Sequence, residues 1–427
     1  MRSVIALIIG ATSLSLSVSA QSINWDVSVG LNLAAHIDGA EPDFSEQGGD
    51  FILKFTQDTD QYSLKGEGRV RWNDAYNSRE YSEAARDAYE WSSDWRELYI
   101  TKDINDWNIA VGLQQVVWGK ADNLRVVDLV NPLDYRDFVL PDLNDYRKSV
   151  FMLKGEYYLA DWSLQTLYIP FFEPNDFAEQ GSEYEYATLD PAMLEMFNLL
   201  PEERPDRSFN NGEFGVQLAR SFSGIDLSFF ALHGWDDNPV YRQMYALDDK
   251  SNIVSSLRPE YHRQTMLGVA SAYALGNGFV LRSEMAVIPD SIYMLGILDE
   301  AGGLVEHTTI NALVGVDYSW RDWLFSAQAN DRYIDNWSSV LSVAEHQPLV
   351  TFSATGQSFS GRLDSRIAIA RFVEESNEQL LQIRTTWKPD DRWAYSLGAD
   401  WFSGVVGGVF GQFENKDRMW LKVQRNF

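Results

Sequence analysis

The chain has 427 residues, no cysteine, and 62 Asp plus Glu against 35 Lys plus Arg, for a formal net charge of −27. The acidic balance argues against nucleic acid as a partner, and the lack of cysteine excludes disulfides, zinc–thiolate sites, iron–sulfur clusters and a thiol nucleophile. Aromatic residues make up 14% of a chain that is polar on average. This combination is typical of a membrane barrel with aromatic girdles and a wet lumen.

The first twenty residues have the pattern of a secretion signal. Arg2 supplies a positive charge, Val4 to Gly10 form an apolar core, and Val18-Ser19-Ala20 is a small-residue cleavage site. Polar residues from Thr12 onward interrupt the apolar run before the ~20 residues that a spanning helix needs. We therefore predict a signal peptide over residues 1–20 and one exported domain over residues 21–427.

Alternating apolar and polar residues recur along the exported domain. The pattern is clear over residues 107–114, 151–159, 279–287 and 393–401. Repeated alternation of this kind is typical of transmembrane β-strands, which turn one face to lipid and the other to the lumen. Short turns rich in Asp, Asn and Gly alternate with long connections, the largest being Gly119 to Lys148 and Phe171 to Asn211. Short periplasmic turns and long outer loops are the pattern of outer-membrane barrels.

The predicted fold is all-β, a transmembrane antiparallel β-barrel of about 18 strands, with 16 as the alternative. The even number depends on taking Gln347 to Gly356 as a strand paired with Gly361 to Phe372, which leaves both termini in the periplasm. The last strand ends on Phe427 behind an alternating apolar stripe, the pattern that the outer-membrane assembly machinery recognises. We therefore predict a location in the outer membrane of a Gram-negative bacterium, with outer-membrane lipids and the assembly machinery as partners.

Charged side chains on one face of several predicted strands are assigned to the lumen. A shift of register by one residue would turn them to lipid, where a charge at the bilayer midplane costs about 2 to 4 kcal/mol. The residues assigned in this way are Lys65, Glu67, Arg69, Arg71, Lys154, Glu156, Arg282, Glu284, Asp364 and Arg366. Two interpretations stay open, because paired charges either brace the barrel or form a polar conduit that orients a solute.

The connection from Phe171 to Asn211 is both acidic and apolar. Between Glu173 and Asp206, ten acidic residues accompany the single basic residue Arg204, so much of the net charge is expected in the outer loops. The sequence Asp190-Pro191 precedes an apolar stripe at helical spacing, which predicts a short helical segment. The residues predicted to capture a hydrophobic ligand are Met193, Leu194, Met196, Phe197, Leu200, Phe171 and Phe172. The alternative is a small apolar core that these loops form over the barrel mouth.

The connection from Gly119 to Lys148 interleaves apolar residues with charges. Because so much apolar surface is unfavourable in water, we predict that it folds into the barrel and narrows it. We call it the constriction loop. Its candidate site residues are Arg125, Asp128, Asp134, Arg136, Asp137, Phe138, Asp142 and Arg147.

The sequence around this loop resembles a known family. The residues that carry the resemblance are Trp95-Arg96-Glu97, Gln114-Gln115-Val116-Val117-Trp118-Gly119-Lys120, Asp122, Leu124-Arg125, Asp128, Asn131-Pro132, Asp134, Arg136, Phe138 and Asp142, followed by Trp162-Ser163-Leu164-Gln165, Pro170, Glu173-Pro174 and Gly411-Gln412-Phe413. Together they resemble the exported proteins of domain-of-unknown-function family 1302, and they depart from its more apolar pattern at Asp145-Tyr146-Arg147-Lys148. The resemblance implies an outer-membrane barrel, often encoded beside RND-superfamily transporters for lipids or other hydrophobic compounds. It therefore implies a hydrophobic ligand and an RND-type transporter as partners.

No catalytic constellation is visible in the sequence. The chain has five His, none at metal-ligand spacing from another, and no G-x-S-x-G motif. We predict that the protein is not an enzyme and uses no cofactor or metal. The predicted function is an outer-membrane channel or conduit for a hydrophobic small molecule or lipid. The alternatives are a general diffusion porin for small polar solutes, with the constriction loop as its eyelet, and a non-conducting surface or scaffold barrel.

Overall fold

The computed structural model of the chain describes residues 23–37, 43–78, 81–122, 124–186, 197–247, 253–296, 302–373 and 378–427. All structural statements below concern these residues. The predicted signal peptide and three of the predicted capture residues, Met193, Leu194 and Met196, lie outside them.

Eighteen strands form one antiparallel sheet that closes on itself. They are β1 (Asn24–His36), β2 (Phe44–Asp58), β3 (Ser63–Asn73), β4 (Trp91–Ile104), β5 (Trp107–Gln114), β6 (Val150–Leu159), β7 (Trp162–Ile169), β9 (Glu213–Phe222), β10 (Ile225–Trp235), β13 (Arg263–Gly276), β14 (Phe279–Met294), β15 (Leu304–Trp320), β16 (Trp323–Ile334), β17 (Leu349–Ser358), β18 (Leu363–Phe372), β19 (Gln379–Trp387), β20 (Trp393–Ser403) and β21 (Arg418–Asn426). Each barrel strand pairs with the next barrel strand along the chain, and β21 pairs with β1 to close the cylinder. The prediction of an all-β antiparallel barrel with 18 strands is confirmed, including the hairpin β17–β18 on which the even number depended.

Smaller elements lie in the outer connections. A separate sheet consists of β8 (Asn198–Leu199), β11 (Val240–Leu247) and β12 (Ile253–Glu260). The helices are α1 (Glu83–Tyr89), between β3 and β4, and α2 (Leu143–Tyr146), at the end of the constriction loop. Helical segments in outer loops are thus confirmed. The stripe after Pro191 lies mostly outside the described residues, and its end at Asn198–Leu199 is a strand because it pairs with β12.

The alternation of side chains divides each strand into a lipid face and a lumen face. Exposed apolar residues cover the outside of the cylinder, including Leu31, Phe51, Val111, Val314 and Leu421. Aromatic residues begin four of the strands directly after short turns, as expected for one interfacial girdle. These residues are Trp107, Trp162, Trp323 and Trp393.

The turns opposite the long loops are tight and have left-handed backbone positions. Asn105, Ala160, Asn277 and Arg321 all have φ between 50° and 54° in short hairpin turns. Such turns match the twist of the paired strands. Within the described part of the chain, no helix has the length and apolar character that crossing a membrane would require.

Candidate functional site: the lumen and its constriction loop

The constriction loop enters the barrel directly after β5 and is held there by one amide side chain. Asn131 Oδ1 accepts a hydrogen bond from the Val116 amide at 2.8 Å, and its Nδ2 donates to the carbonyls of Gln114 at 3.0 Å and Lys148 at 2.8 Å. Asn131 is fully buried. Its side chain therefore joins the segment before the loop, the middle of the loop and its end, and it satisfies polar groups that burial would otherwise leave unpaired.

A buried ion pair reinforces the same fold of the loop. The guanidinium of Arg147 donates to the carboxylate of Asp128, and their side chains are 1% and 5% exposed. Asp128 Oδ1 also accepts from the Trp118 amide at 3.0 Å, while Arg125 donates to the Asp128 carbonyl. Arg147 stands in the stretch that departs from the family pattern, and the charge that it adds is neutralised inside this loop.

The first half of the loop packs against one side of the barrel wall. Val126, Val127 and Val130 are buried, together with Trp118 just before them. The wall residues in the same apolar cluster come from β6, β7, β10 and β13 to β15, and are Val150, Met152, Leu167, Ile169, Phe230, Leu232, Met266, Ala270, Ala286 and Leu313. This half of the lumen is filled by protein, which agrees with the predicted inward fold of the loop.

Two charged residues of β14 fix the start of the loop to this wall. Glu284 accepts hydrogen bonds from the amides of Lys120 and Ala121, and Arg282 donates to the Lys120 carbonyl at 2.6 Å and to Asp122 at 3.0 Å. Gly119 has φ +93°, and a Cβ there would lie 2.7 Å from the Glu284 carboxylate. A glycine is required at this position for both reasons.

The second half of the loop meets the opposite side of the barrel through ion pairs. Arg71 of β3 contacts Asp137 at 2.9 Å and Asp134 at 3.6 Å. The carboxylate of Asp142 forms ion pairs with Arg366 of β18 at 2.5 Å and with Arg384 of β19 at 2.9 Å. The loop therefore crosses the lumen and is tied to strands on several sides.

The electrostatics of Asp142 follow from these contacts. Burial raises the pKa of this loop carboxyl, but the two guanidinium groups outweigh that effect and hold the pKa below its ordinary value. Asp142 is therefore ionised at neutral pH.

The ten predicted lumen charges have two kinds of partner. Arg71, Arg282, Glu284 and Arg366 contact the constriction loop, as described above. The other six form pairs within the wall: Lys65–Glu97, Glu67–Lys54, Arg69–Asp94, Lys154–Glu156 and Asp364–Lys388. Bracing of the wall thus accounts for six of these residues, and attachment of the loop for four.

Two cavities remain between the second half of the loop and strands β16 to β21 and β1 to β4. The first, of about 380 Å³, is mainly apolar, and we call it the apolar cavity. Its apolar lining comes from the loop, from the adjoining outer loops and from β17 to β19, and includes Phe138, Val139, Tyr186, Leu349, Ala368, Phe372, Leu380, Val409 and Phe410. The second, of about 340 Å³, is lined by acidic and basic side chains in equal number, and we call it the polar cavity. Pro141, Arg366 and Gln382 line both.

A cap of outer loops lies over this half of the barrel. Glu183 is buried and accepts from Tyr81 at 2.6 Å, while it pairs with His36 at 2.7 Å and Lys416 at 3.3 Å. Burial raises the pKa of Glu183, but the hydrogen bond to His36 and the other partners outweigh it and hold the pKa at about 2. The carboxylate therefore joins three outer segments of the chain.

The described capture residues lie in these outer loops and not in the apolar cavity. Phe172 packs on Tyr261 with ring centroids 4.9 Å apart, Phe171 packs on Phe209 at 5.7 Å, and Phe197 is buried against Leu257. The amide of Leu200 donates to the Leu257 carbonyl at 2.8 Å. Their contacts are those of a small core above the barrel mouth, and their predicted role in ligand capture stays a prediction.

Several residues of the lumen and the outer loops are absent from the site residues predicted from the sequence, although Asn131 is among the residues that carry the family resemblance. Arg384, Asn131 and Phe410 all contact the loop or line the apolar cavity, and Glu378 accepts hydrogen bonds from the amides of Val405, Phe410 and Gly411. Arg384 carried a usable signal, since it alternates with the apolar residues of β19. Glu378 carried none, because its partners belong to a distant loop. Among the described residues, no group of His, Cys, Asp or Glu could hold a metal ion.

Taken together, an 18-stranded closed barrel, an apolar outer belt and an inward-folded loop define a transmembrane β-barrel of the outer membrane, of the porin-like kind. The chain belongs to the family described as "Protein of unknown function (DUF1302)", whose sequence model matches residues 40–362. The predicted family and outer-membrane location are thereby confirmed. No curated protein sequence matches the chain.

Solved structures share the fold at low sequence identity. The crystal structure of OccAB3 from Acinetobacter baumannii is 9% identical, with a TM-score of 0.53 over 95% of this chain and 99% of that chain. OccAB2 of the same organism is 8% identical, with a TM-score of 0.53 over 95% and 98%. The outer membrane channel DcaP of A. baumannii is 11% identical, with a TM-score of 0.45 over 95% and 97%. The two higher scores support the barrel architecture.

Proposed function

We propose that this protein is an outer-membrane channel, not an enzyme, that passes a hydrophobic small molecule or lipid. The observation that carries the proposal is the apolar cavity of about 380 Å³ beside the constriction loop. Its volume is in the range of pockets that bind small molecules. A largely apolar cavity favours a ligand that water solvates poorly.

The cavity lies between the barrel wall and the constriction loop. One side is the fixed wall of β17 to β19, and the other is the constriction loop with Phe138 and Val139. Phe138 packs on Phe413 with ring centroids 4.7 Å apart, in a cluster with Phe402 and Phe410. Movement of the second half of the loop would open this space along the barrel while the first half stays packed on the other wall.

The runner-up is a diffusion porin for small polar solutes. The polar cavity favours it, because crossed charges in a narrow lumen are suited to orienting polar solutes. A non-conducting scaffold barrel is the third candidate. In the proposed function the apolar cavity carries the solute, in the porin the polar cavity does, and in the scaffold neither does.

Deletion of residues 126–140 tests the role of the loop. In planar bilayers, a porin should conduct in its intact form, whereas a gated channel for hydrophobic molecules should conduct only after the deletion. Heat-dependent gel mobility would report that the deleted form still folds as a barrel. Silence of both forms, with no lipid detected by mass spectrometry in extracts of the purified protein, would favour the scaffold.

A point variant separates the two channel functions. Ala368 of β18 lines the apolar cavity and not the polar cavity, so Ala368→Phe should fill the first alone. We expect flux of a hydrophobic dye into proteoliposomes to fall while flux of a small sugar is unchanged. The matched control is Ala327→Phe, because Ala327 of β16 is exposed on the lipid face. Equal loss of both fluxes with Ala368→Phe would contradict the proposal.

Partners follow from the same proposal. The family resemblance supports an RND-type inner-membrane transporter as the protein that works with this channel. If so, loss of either protein should abolish movement of the same hydrophobic compound across the envelope. We also propose that the outer-membrane assembly machinery recognises the strand ending at Phe427, so Phe427→Ser should lower the amount of folded barrel in the membrane.

A further inference from the structure

An arginine side chain lies where the apolar cavity meets the polar cavity. Arg366 lines both the apolar and the polar cavity, and its neighbours Pro141 and Gln382 do the same. The head of the side chain is directed toward Asp142, which lines only the polar cavity. A molecule lying in the apolar cavity would therefore have one end at this guanidinium group.

A second arginine contacts the carboxylate of Asp142. Arg384 contacts Asp142 Oδ2 at 2.9 Å, and Arg366 contacts Oδ1 at 2.5 Å. Among the described residues, no other carboxylate forms an ion pair with either arginine. Two guanidinium groups thus share one carboxylate as their ion-pair partner. Paired guanidinium groups around a carboxylate are a strong arrangement for recognising an anion.

The carboxylate belongs to the loop and both arginines belong to the wall. Arg366 and Arg384 lie on neighbouring strands and face each other in the register of β18 and β19. Asp142 reaches them from the constriction loop, 224 residues away in sequence from Arg366, and its side chain is 36% exposed. A displaced loop would leave the arginine pair in place with its anion site empty.

We propose that the ligand of this channel is an amphipathic anion, whose apolar body lies in the apolar cavity and whose anionic head replaces Asp142 on Arg366 and Arg384. The proposal deepens the proposed function and rests on it. Asp142 then acts as an internal competitor that occupies the head-group site in the resting loop. Ligand binding then releases the Asp142 end of the loop from β18 and β19, while Arg71 still holds Asp137, and this release couples recognition of the anion to movement of the loop.

The test compares three probes with the same twelve-carbon chain. Dodecanoate, dodecanol and dodecyltrimethylammonium are titrated below their micellar concentrations into the full-length mature barrel in amphipol, and each Kd is measured calorimetrically. We expect dodecanoate to bind about tenfold or more tightly than dodecanol, and dodecyltrimethylammonium to bind most weakly. One charged hydrogen bond is sufficient for a factor of about ten.

Three variants assign the effect to these residues. Arg384→Gln and Arg366→Gln should each weaken dodecanoate binding about tenfold, while changing dodecanol binding by less than about threefold. Asp142→Asn should tighten dodecanoate binding, because the competing charge is removed while its shape stays. The matched control is Arg220→Gln, since Arg220 pairs with Asp161 and lines neither cavity. Gel mobility identifies any variant that fails to fold. Because Arg366→Gln and Arg384→Gln are separate substitutions, either one alone tests the anion site if the other does not fold.

The outcomes distinguish this inference from the proposed function. If dodecanoate and dodecanol bind equally and neither arginine variant changes them, the anion site is refuted. Loss of binding of both probes in Ala368→Phe would then still support an apolar conduit. If no probe binds the wild-type barrel and Ala368→Phe leaves hydrophobic flux unchanged, the proposed function fails as well.

Discussion

Replacing Arg147 by Met tests whether the buried ion pair holds the constriction loop in place. The Arg147 and Asp128 side chains are 1% and 5% exposed, so the variant leaves a carboxylate almost without water. The Trp118 amide still donates a hydrogen bond to the Asp128 carboxylate at 3.0 Å. Breaking a buried pair by removing one partner costs about 3 to 5 kcal/mol. The local opening free energy of the loop should fall by that amount.

Hydrogen exchange at the Trp118 amide measures this opening directly, because that amide is protected only while the loop is closed. A loss of about 3 to 5 kcal/mol corresponds to exchange faster by about two to nearly four orders of magnitude. The double variant Arg147→Met/Asp128→Asn removes both charges and should recover at least half of the lost free energy. The control Arg258→Met removes a partly exposed pair with Glu203 and should change exchange at Trp118 little.

One result would show that the ion pair has no role in holding the loop. If Arg147→Met leaves exchange at Trp118 within about threefold of wild type, the ion pair does not hold the loop. Single-channel recordings give a second reading, since a loosened loop should raise the frequency of open events. If the folded Arg147→Met variant opens as often as wild type in these recordings, the ion pair does not hold the loop.

Three further perturbations have defined expectations. Gly119→Ala should lower the opening free energy of the loop by about 1 to 3 kcal/mol, because the φ of +93° and the contact with Glu284 exclude a Cβ at this position. Hydrogen exchange at the Lys120 amide should therefore accelerate. The control Gly276→Ala, where a Cβ meets no neighbouring atom, should leave that exchange unchanged. Glu183, whose pKa of about 2 lies below its unfolded value of 4.5, should stabilise the cap above pH 4.5 and lose that contribution as the pH falls toward 2. Proteolysis of the cap measured against pH should show this window in wild type and not in Glu183→Gln. Finally, Glu378→Ala should release the loop that carries Phe410 and reduce dodecanol binding, and normal binding would contradict its positioning role.

The barrel itself was predictable from the sequence because its determinants are local. Each strand needs only alternating side chains, and each short turn needs only residues such as Asn105 and Asn277 that accept a left-handed backbone. Counting these local units gave 18 strands only together with the rule that such barrels have an even number of strands, and the structure contains 18. The end of the helical stripe predicted after Pro191 depends on a distant contact instead. At Asn198–Leu199, pairing with β12 determines the structure, and that pairing depends on residues more than fifty positions away.

The sequence by itself thus determined an outer-membrane barrel and the connection that folds inward, and it predicted which charges face the lumen. Only the tertiary structure decided how these charges are shared. Asp142 and Arg366 are 224 residues apart, and closure of the barrel brings them together beside an apolar cavity. The physical reason is that alternation records burial one strand at a time, whereas a cavity and its ion pairs depend on which strands the loop crosses.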